Sequence, residues 1–259
     1  MPATEESLAA DESRPIAEIL RQIHRWIALA LVLFIAAIGT TGAILHGILA
    51  IYGDSAPTEN GNMPASVAAF RQLLFKIHTG FLIGVPGAYY GLICGLGLLF
   101  FSISGLWMYL NLYRSRSGLG RKGLFWTTKK GNDAALRSLH RWFTVGLVLF
   151  TTIIAFTGSS LDFDFVRNNM IPGSGPRPGG GGPGGPGGPG GSPGGPPPSG
   201  AGWHELNFTI HKLSFLGTAG HVLGVFIGLG LVTMAISGLW MYLAMHARRT
   251  RAGQKGLFW

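Results

Sequence analysis

Four of the eight histidines in this chain come as two pairs, and each member of a pair repeats the surroundings of the other. His24 sits in LRQIHRWIALALVLFIAAIGTTG (residues 20–42) and His140 in LRSLHRWFTVGLVLFTTIIAFTG (residues 136–158). His78 sits in FKIHTGFLIG (75–84) and His211 in FTIHKLSFLG (208–217). Neutral imidazole is a common metal ligand, and haem iron with two axial histidines needs two imidazoles facing each other at one depth. Two related halves supply such pairs by symmetry. The pattern therefore predicts non-covalent haem, one or two per chain, with His24, His140, His78 and His211 as the candidate iron ligands. Arg25 and Arg141 follow the inner histidines directly, and their guanidinium groups suit the haem propionates.

The other histidines do not repeat. Asp162 stands where His46 would recur, Ala88 where His221 would, and Tyr113 where His246 would. His46 and His221 nevertheless fall inside apolar sequence, where an ionisable residue marks a functional position. His46 lies 22 residues after His24, about 33 Å along an ideal helix, and so at the opposite membrane face. For an outer haem, symmetry favours His78 and His211, whereas burial favours His46 and His221. The segment Gly84-Val85-Pro86-Gly87 breaks the lead-in helix of His78 before its span starts. His204 and His246 read as surface residues.

These residues must be positioned by membrane helices. The chain has 259 residues, a mean hydropathy of +0.34 and only 12% charged residues, too apolar for an ordinary soluble domain. A spanning helix takes about 20 mostly apolar residues, and four stretches qualify, roughly 26–52, 85–110, 142–161 and 220–245. The predicted fold is an all-α membrane protein with four transmembrane helices, a tandem repeat of two-helix units. SGLWMYL closes the second helix of each unit (104–110 and 237–243), and KGLFW ends each tail, at Trp126 and Trp259. The second helix also carries glycines four apart, Gly87, Gly91 and Gly95, matched by Gly220, Gly224 and Gly228. Such a face lets a neighbouring helix approach closely.

Residues 1–19 form a polar cytoplasmic N-terminus, 20–126 the first repeat with its basic tail, 127–135 a linker, and 136–259 the second repeat. Residues 171–202 are an external Gly/Pro-rich loop that cannot bury enough apolar surface to order itself. Fifteen of the 20 basic residues fall on the side of the termini and the middle connection. That bias accounts for the net charge of +9 without nucleic acid and puts both termini in the cytoplasm of a bacterial inner membrane. The N-terminus lacks the features of a cleaved signal peptide. Cys94 is the single cysteine, which excludes intramolecular disulfides and covalent CxxCH haem attachment. Residues 118–123 satisfy GxGxxG but follow a membrane helix rather than a strand, so no nicotinamide site is expected there.

Taken in order, LRxxHRW opening a helix, then IHTGFLIGVPG and IHKLSFLGTAGH ahead of helices ending in SGLWMYL, resemble the PepSY-associated transmembrane family. That family includes iron-regulated inner-membrane proteins and ferric-siderophore reductases. The resemblance covers roughly residues 20–113 and 136–245. It implies an all-helical membrane core, b-type haem as in the reductase members, and electron transfer to ferric chelates in the periplasm. The positions matching the family's histidine motifs are His24, His78, His140 and His211. Larger members carry periplasmic PepSY domains between the helices of each pair, where this chain has a short loop and the Gly/Pro linker.

The expectation is an inner-membrane haem protein that takes electrons from a cytoplasmic or quinone donor and passes them to a periplasmic ferric chelate or redox protein. The alternatives are a scaffold or accessory subunit of an iron-uptake system, with interfacial histidines, and a haem or metal transporter.

Overall fold

The computed structural model describes residues 5–53, 63–117, 132–170 and 201–253. The Gly/Pro-rich run 171–200, the GxGxxG segment and both GLFW tails lie outside the described residues. Among the described residues six α-helices follow one another: α1 Glu5–Tyr52, α2 Ala65–His78, α3 Val85–Ser117, α4 Asn132–Met170, α5 Ala201–His211 and α6 Gly217–Arg251. No strand occurs among the described residues. Four helical segments are long and apolar enough to cross a membrane: Glu18–Tyr52, Pro86–Arg114, Ala135–Arg167 and Ser214–Arg251. Each satisfies its backbone hydrogen bonds internally, which lipid demands.

Helices run further than composition alone suggests. The first begins at Glu5, inside the segment expected to be a polar tail. α4 continues through Asp162 to Met170, and α5 starts at Ala201, so the second outer connection is shorter than the polar sequence implies.

α2 and α5 are short lead-in helices. Each is followed by one turn of 3₁₀ helix, Phe81–Ile83 and Ser214–Leu216, which redirects the chain into the next span. The turn is bracketed by residues of positive φ, Gly80 and Gly84 in the first unit, Leu213 and Gly217 in the second. Leu213 thus adopts at 55° the left-handed conformation its repeat partner Gly80 takes freely. Its side chain is 4% exposed in the central core, and that packing holds the strained backbone.

The spans pack as a ring, α1 against α6, α6 against α4, α4 against α3, and α3 against α1. The most extensive pairings, α1 with α6 and α3 with α4, join the first helix of one unit to the second helix of the other. The glycine faces drive this. A side chain at Gly228 would strike the Gly39 carbonyl and Ala43, and one at Gly95 would strike Ser159 and the Ala155 carbonyl. Gly91 lies against the Asp162 carboxylate as Gly224 lies against the His46 ring, so Asp162 takes the structural place of His46 in the other half. Ile35, Leu98, Ala155, Ile227 and Leu231 fill the middle of the ring, one or two from each span.

Candidate functional site

His24 stands on α1 and His140 on α4, the two diagonal helices of the ring. The Nδ1 of His24 lies 2.7 Å from Ser104 Oγ, and the Nδ1 of His140 lies 2.9 Å from Ser237 Oγ. Both serines open the repeated SGLWMYL, so each unit ties its own histidine to its own second helix. The Ser104 hydroxyl donates to the Phe100 carbonyl at 2.6 Å, and Ser237 donates to Met234 at 3.2 Å. With its hydrogen committed there, each serine oxygen accepts from the imidazole Nδ1–H. The neutral ring then keeps its lone pair on Nε2. The Phe101 ring meets the His24 ring edge-on at 4.9 Å.

The outer pair repeats this logic with a different partner. His78, the last residue of α2, reaches α1: its Nδ1 is 3.1 Å from the Ile38 carbonyl and 3.0 Å from Thr41 Oγ1. His211, the last residue of α5, reaches α4: its Nδ1 is 3.0 Å from the Ile154 carbonyl and 3.3 Å from Thr157 Oγ1. A carbonyl can only accept, so Nδ1 carries the proton and Nε2 carries the lone pair. Thr41 and Thr157 each donate back to a carbonyl one turn earlier, Ala37 at 2.8 Å and Ile153 at 2.9 Å. Repeat-related Gly42 and Gly158 give the imidazoles room, since a Cβ there would sit 3.1 Å from His78 Cε1 and 2.9 Å from His211 Cε1.

The His78 and His211 rings are 6.3 Å apart, centre to centre. Burial, joined by the neighbouring His211 and His46, pulls the His78 pKa down from its usual 6.5 to about 3, and burial likewise lowers His211. Both stay neutral at physiological pH. His46 and His221 also meet, at 5.7 Å between ring centres. His221 is 4% exposed. The structure therefore brings together both outer pairs that the sequence left competing. The break at residues 79–84 does not carry His78 away from the bundle; it folds α2 back so that its last residue abuts Ile38.

Ile38 lies 14 residues beyond His24 on α1, which separates the two paired levels by about 21 Å along the axis. Each level offers two neutral nitrogen donors. Among the described residues no three His, Cys, Asp or Glu side chains converge on one point. This donor set suits a group that brings its own equatorial ligands and takes two axial ones.

Arg25 does not stand alone. It lines a cleft of about 610 Å³ between α1 and α6 together with Arg21, Arg248, Arg249 and Glu18. Arg141 lies near Tyr109 of α3. His204 is exposed, and His246 stacks on Tyr242 at 6.4 Å. The serines and threonines that fix the histidines were within the repeated segments quoted above. Their recurrence at constant offset from matched histidines was the available signal.

The family model described as PepSY-associated TM region matches residues 49–244. The chain belongs to this family. The match includes His78, His140, His211 and His221 and starts beyond His24 and His46. Comparison with curated proteins and with solved structures returns no match. With four spans and this membership, the PepSY-associated chain is a multi-pass membrane protein.

Proposed function

We propose that this PepSY-associated protein binds two b-type haems and moves electrons across the bacterial inner membrane. His24 and His140 would hold one haem near the termini, and His78 and His211 would hold the other near the opposite face. The observation that carries this reading is fourfold: every repeated histidine has its Nδ1 within hydrogen-bond distance of a serine hydroxyl or a carbonyl on a packed helix, which fixes its ring. Oriented ligands of this kind, with a hydrogen-bonded outer nitrogen, are what histidine-bound metals use. The His78 and His211 rings stand 6.3 Å apart, centre to centre, so the two could serve one bound iron.

Bound haem supplies the one-electron exchange. The chain's own residues orient its ligands, keep them unprotonated, and wall the sites with apolar helix faces. Arg25 and Arg141, each one residue past an inner ligand, are suited to its propionates. The excess of basic residues at the termini supports a cytoplasmic placement of that end, so electrons would enter there from a cytoplasmic or quinol donor. They would leave at the periplasmic end to a ferric chelate or redox protein. Two ligand levels about 21 Å apart suit such vectorial transfer.

The test uses the full chain in sealed liposomes with a membrane-impermeant ferric chelate outside and a quinol or dithionite donor supplied to the interior. Reduction of the external chelate, abolished in a His24→Ala/His140→Ala variant, is the expected result. Haem-free protein after expression with ample haem would overturn the reading.

A further inference from the structure

Two polar residues on the outer half of α4 are not explained by electron transfer. Ser159 and Asp162 stand three positions apart, so their side chains are neighbours on one helix face. That face is turned to α3, where a side chain at Gly91 would strike the Asp162 carboxylate and one at Gly95 the Ser159 hydroxyl. A hydroxyl on a helix in apolar surroundings commonly donates to the carbonyl one turn earlier, as Thr144, Thr152 and Thr157 do on α4. Ser159 does not. It is 6% exposed, and its Oγ has no hydrogen-bond partner among the described residues. Asp162 is half-buried, five residues before the span ends at Arg167. The Arg167 guanidinium reaches Asp164, at 3.5 Å, and no salt bridge to Asp162 occurs among the described residues. We propose that Ser159 and Asp162 bind an alkali-metal cation, held between α4 and the glycine face of α3 and reached from the membrane face opposite the termini.

The chemistry selects this occupant. A carboxylate inside an apolar span takes a counter-charge, and such residues mark ion sites and pathways. Hard cations take oxygen ligands, and here a carboxylate stands beside a hydroxyl oxygen with two lone pairs. One positive charge leaves the pair neutral, whereas a divalent ion leaves an excess charge against an apolar wall. No three His, Cys, Asp or Glu side chains converge there, among the described residues, to hold a divalent metal. A proton alone would neutralise Asp162 but leave the Ser159 oxygen unsatisfied, because no hydrogen bond links the two. The titratable neighbour on α3 is the Cys94 thiol, a soft group ill suited to a hard cation. Thr151 is likewise buried with its Oγ1 unbonded among the described residues. It lies about 12 Å deeper than Ser159, too far to touch the same ion. The repeat supplies the contrast: Ala43 and His46 hold the related positions on α1, offering a methyl and an imidazole. The site thus belongs to one half only. The proposal uses no repeated histidine and no iron, so it stands apart from the haem reading.

The test is a thermal melt of the full chain in detergent, with sodium chloride exchanged for choline chloride at constant pH and ionic strength, together with equilibrium dialysis against radioactive sodium. The proposal expects a bound sodium ion and a melting temperature that rises with sodium until the site is full, because a ligand of the folded state stabilises it. Asp162→Asn should abolish both responses while keeping the visible spectrum, and Ser159→Ala should weaken sodium binding about ten-fold, the loss of one contact to a charged group. Should Asp162→Asn fail to fold, the dialysis of Ser159→Ala decides. Choline that stabilises as well as sodium, or sodium binding undiminished in either variant, overturns the proposal. A melting temperature that follows pH but not sodium overturns it in favour of a proton on Asp162. Magnesium that displaces sodium at equal concentration overturns the monovalent assignment.

Discussion

Ser104 and Thr41 do the same job for different histidines, but with different reserves. Ser104 Oγ is the hydroxyl that accepts from the His24 Nδ1–H, whereas His78 shares its proton between Thr41 and the Ile38 carbonyl. Losing the partner behind a metal-bound histidine costs about 10–100-fold in affinity. Ser104→Ala should therefore weaken haem retention at the inner level by about that factor, while Thr41→Val changes the outer level little, because the carbonyl remains. Haem titration of the two variants checks the ranking, and a reversed order contradicts it. The same residues set a pH dependence. His78 is favoured neutral in the folded chain down to about pH 3, whereas an unfolded histidine takes a proton near 6.5. Its contribution to stability is complete above 6.5 and is lost as the pH falls from there toward 3. The melting temperature in detergent should drop between pH 7 and pH 4, and the drop should shrink in His78→Gln. A flat profile in the unsubstituted protein would contradict the assignment.

Each helix element is positioned by a few glycines. Gly158 has His211 Cε1 2.9 Å from where its Cβ would be, and Gly42 has His78 Cε1 at 3.1 Å. Gly158→Ala and Gly42→Ala should push the imidazoles off their carbonyls at an overpacking cost of about 1–3 kcal/mol, the former more. Thermal melts and haem loss from the outer level read this out. Gly228→Ala should be worse for the bundle, because the methyl meets the Gly39 backbone, which cannot rotate away. The four spans, the repeat and the glycine faces were legible in sequence because length, hydropathy and spacing record them directly. The position of His78 was not. The sequence around residues 84–87 reads as a helix break, and a break does not say which way the chain turns. Gly80 and Gly84 at positive φ, and the tight contact of Gly87 with Gly80, decide that it turns back onto α1. Leu213 hides the same turn in the second unit, since nothing in a leucine announces a left-handed residue. The serine and threonine partners were likewise in view as letters but not as contacts, because they join residues 37 to 97 positions apart.

At the scale of the whole molecule the two units interlock, each second helix packing on the other unit's first helix, so neither half is expected to fold without the other. The symmetry is broken at the level of His46 and His221. His46 and His221 face one another in one half, and Asp162 and Ala88 hold the related positions in the other. Ligation that follows the symmetry uses His78 and His211 and leaves His46 and His221 free of iron. The most direct measurement is the dithionite-reduced visible spectrum, with haem counted per chain, in three double alanine variants. The account predicts two low-spin b-type haems in the unsubstituted protein. One should be lost in His24→Ala/His140→Ala, the other in His78→Ala/His211→Ala, and neither in His46→Ala/His221→Ala. Full haem content in the first two variants, or loss of haem only in the third, would contradict it.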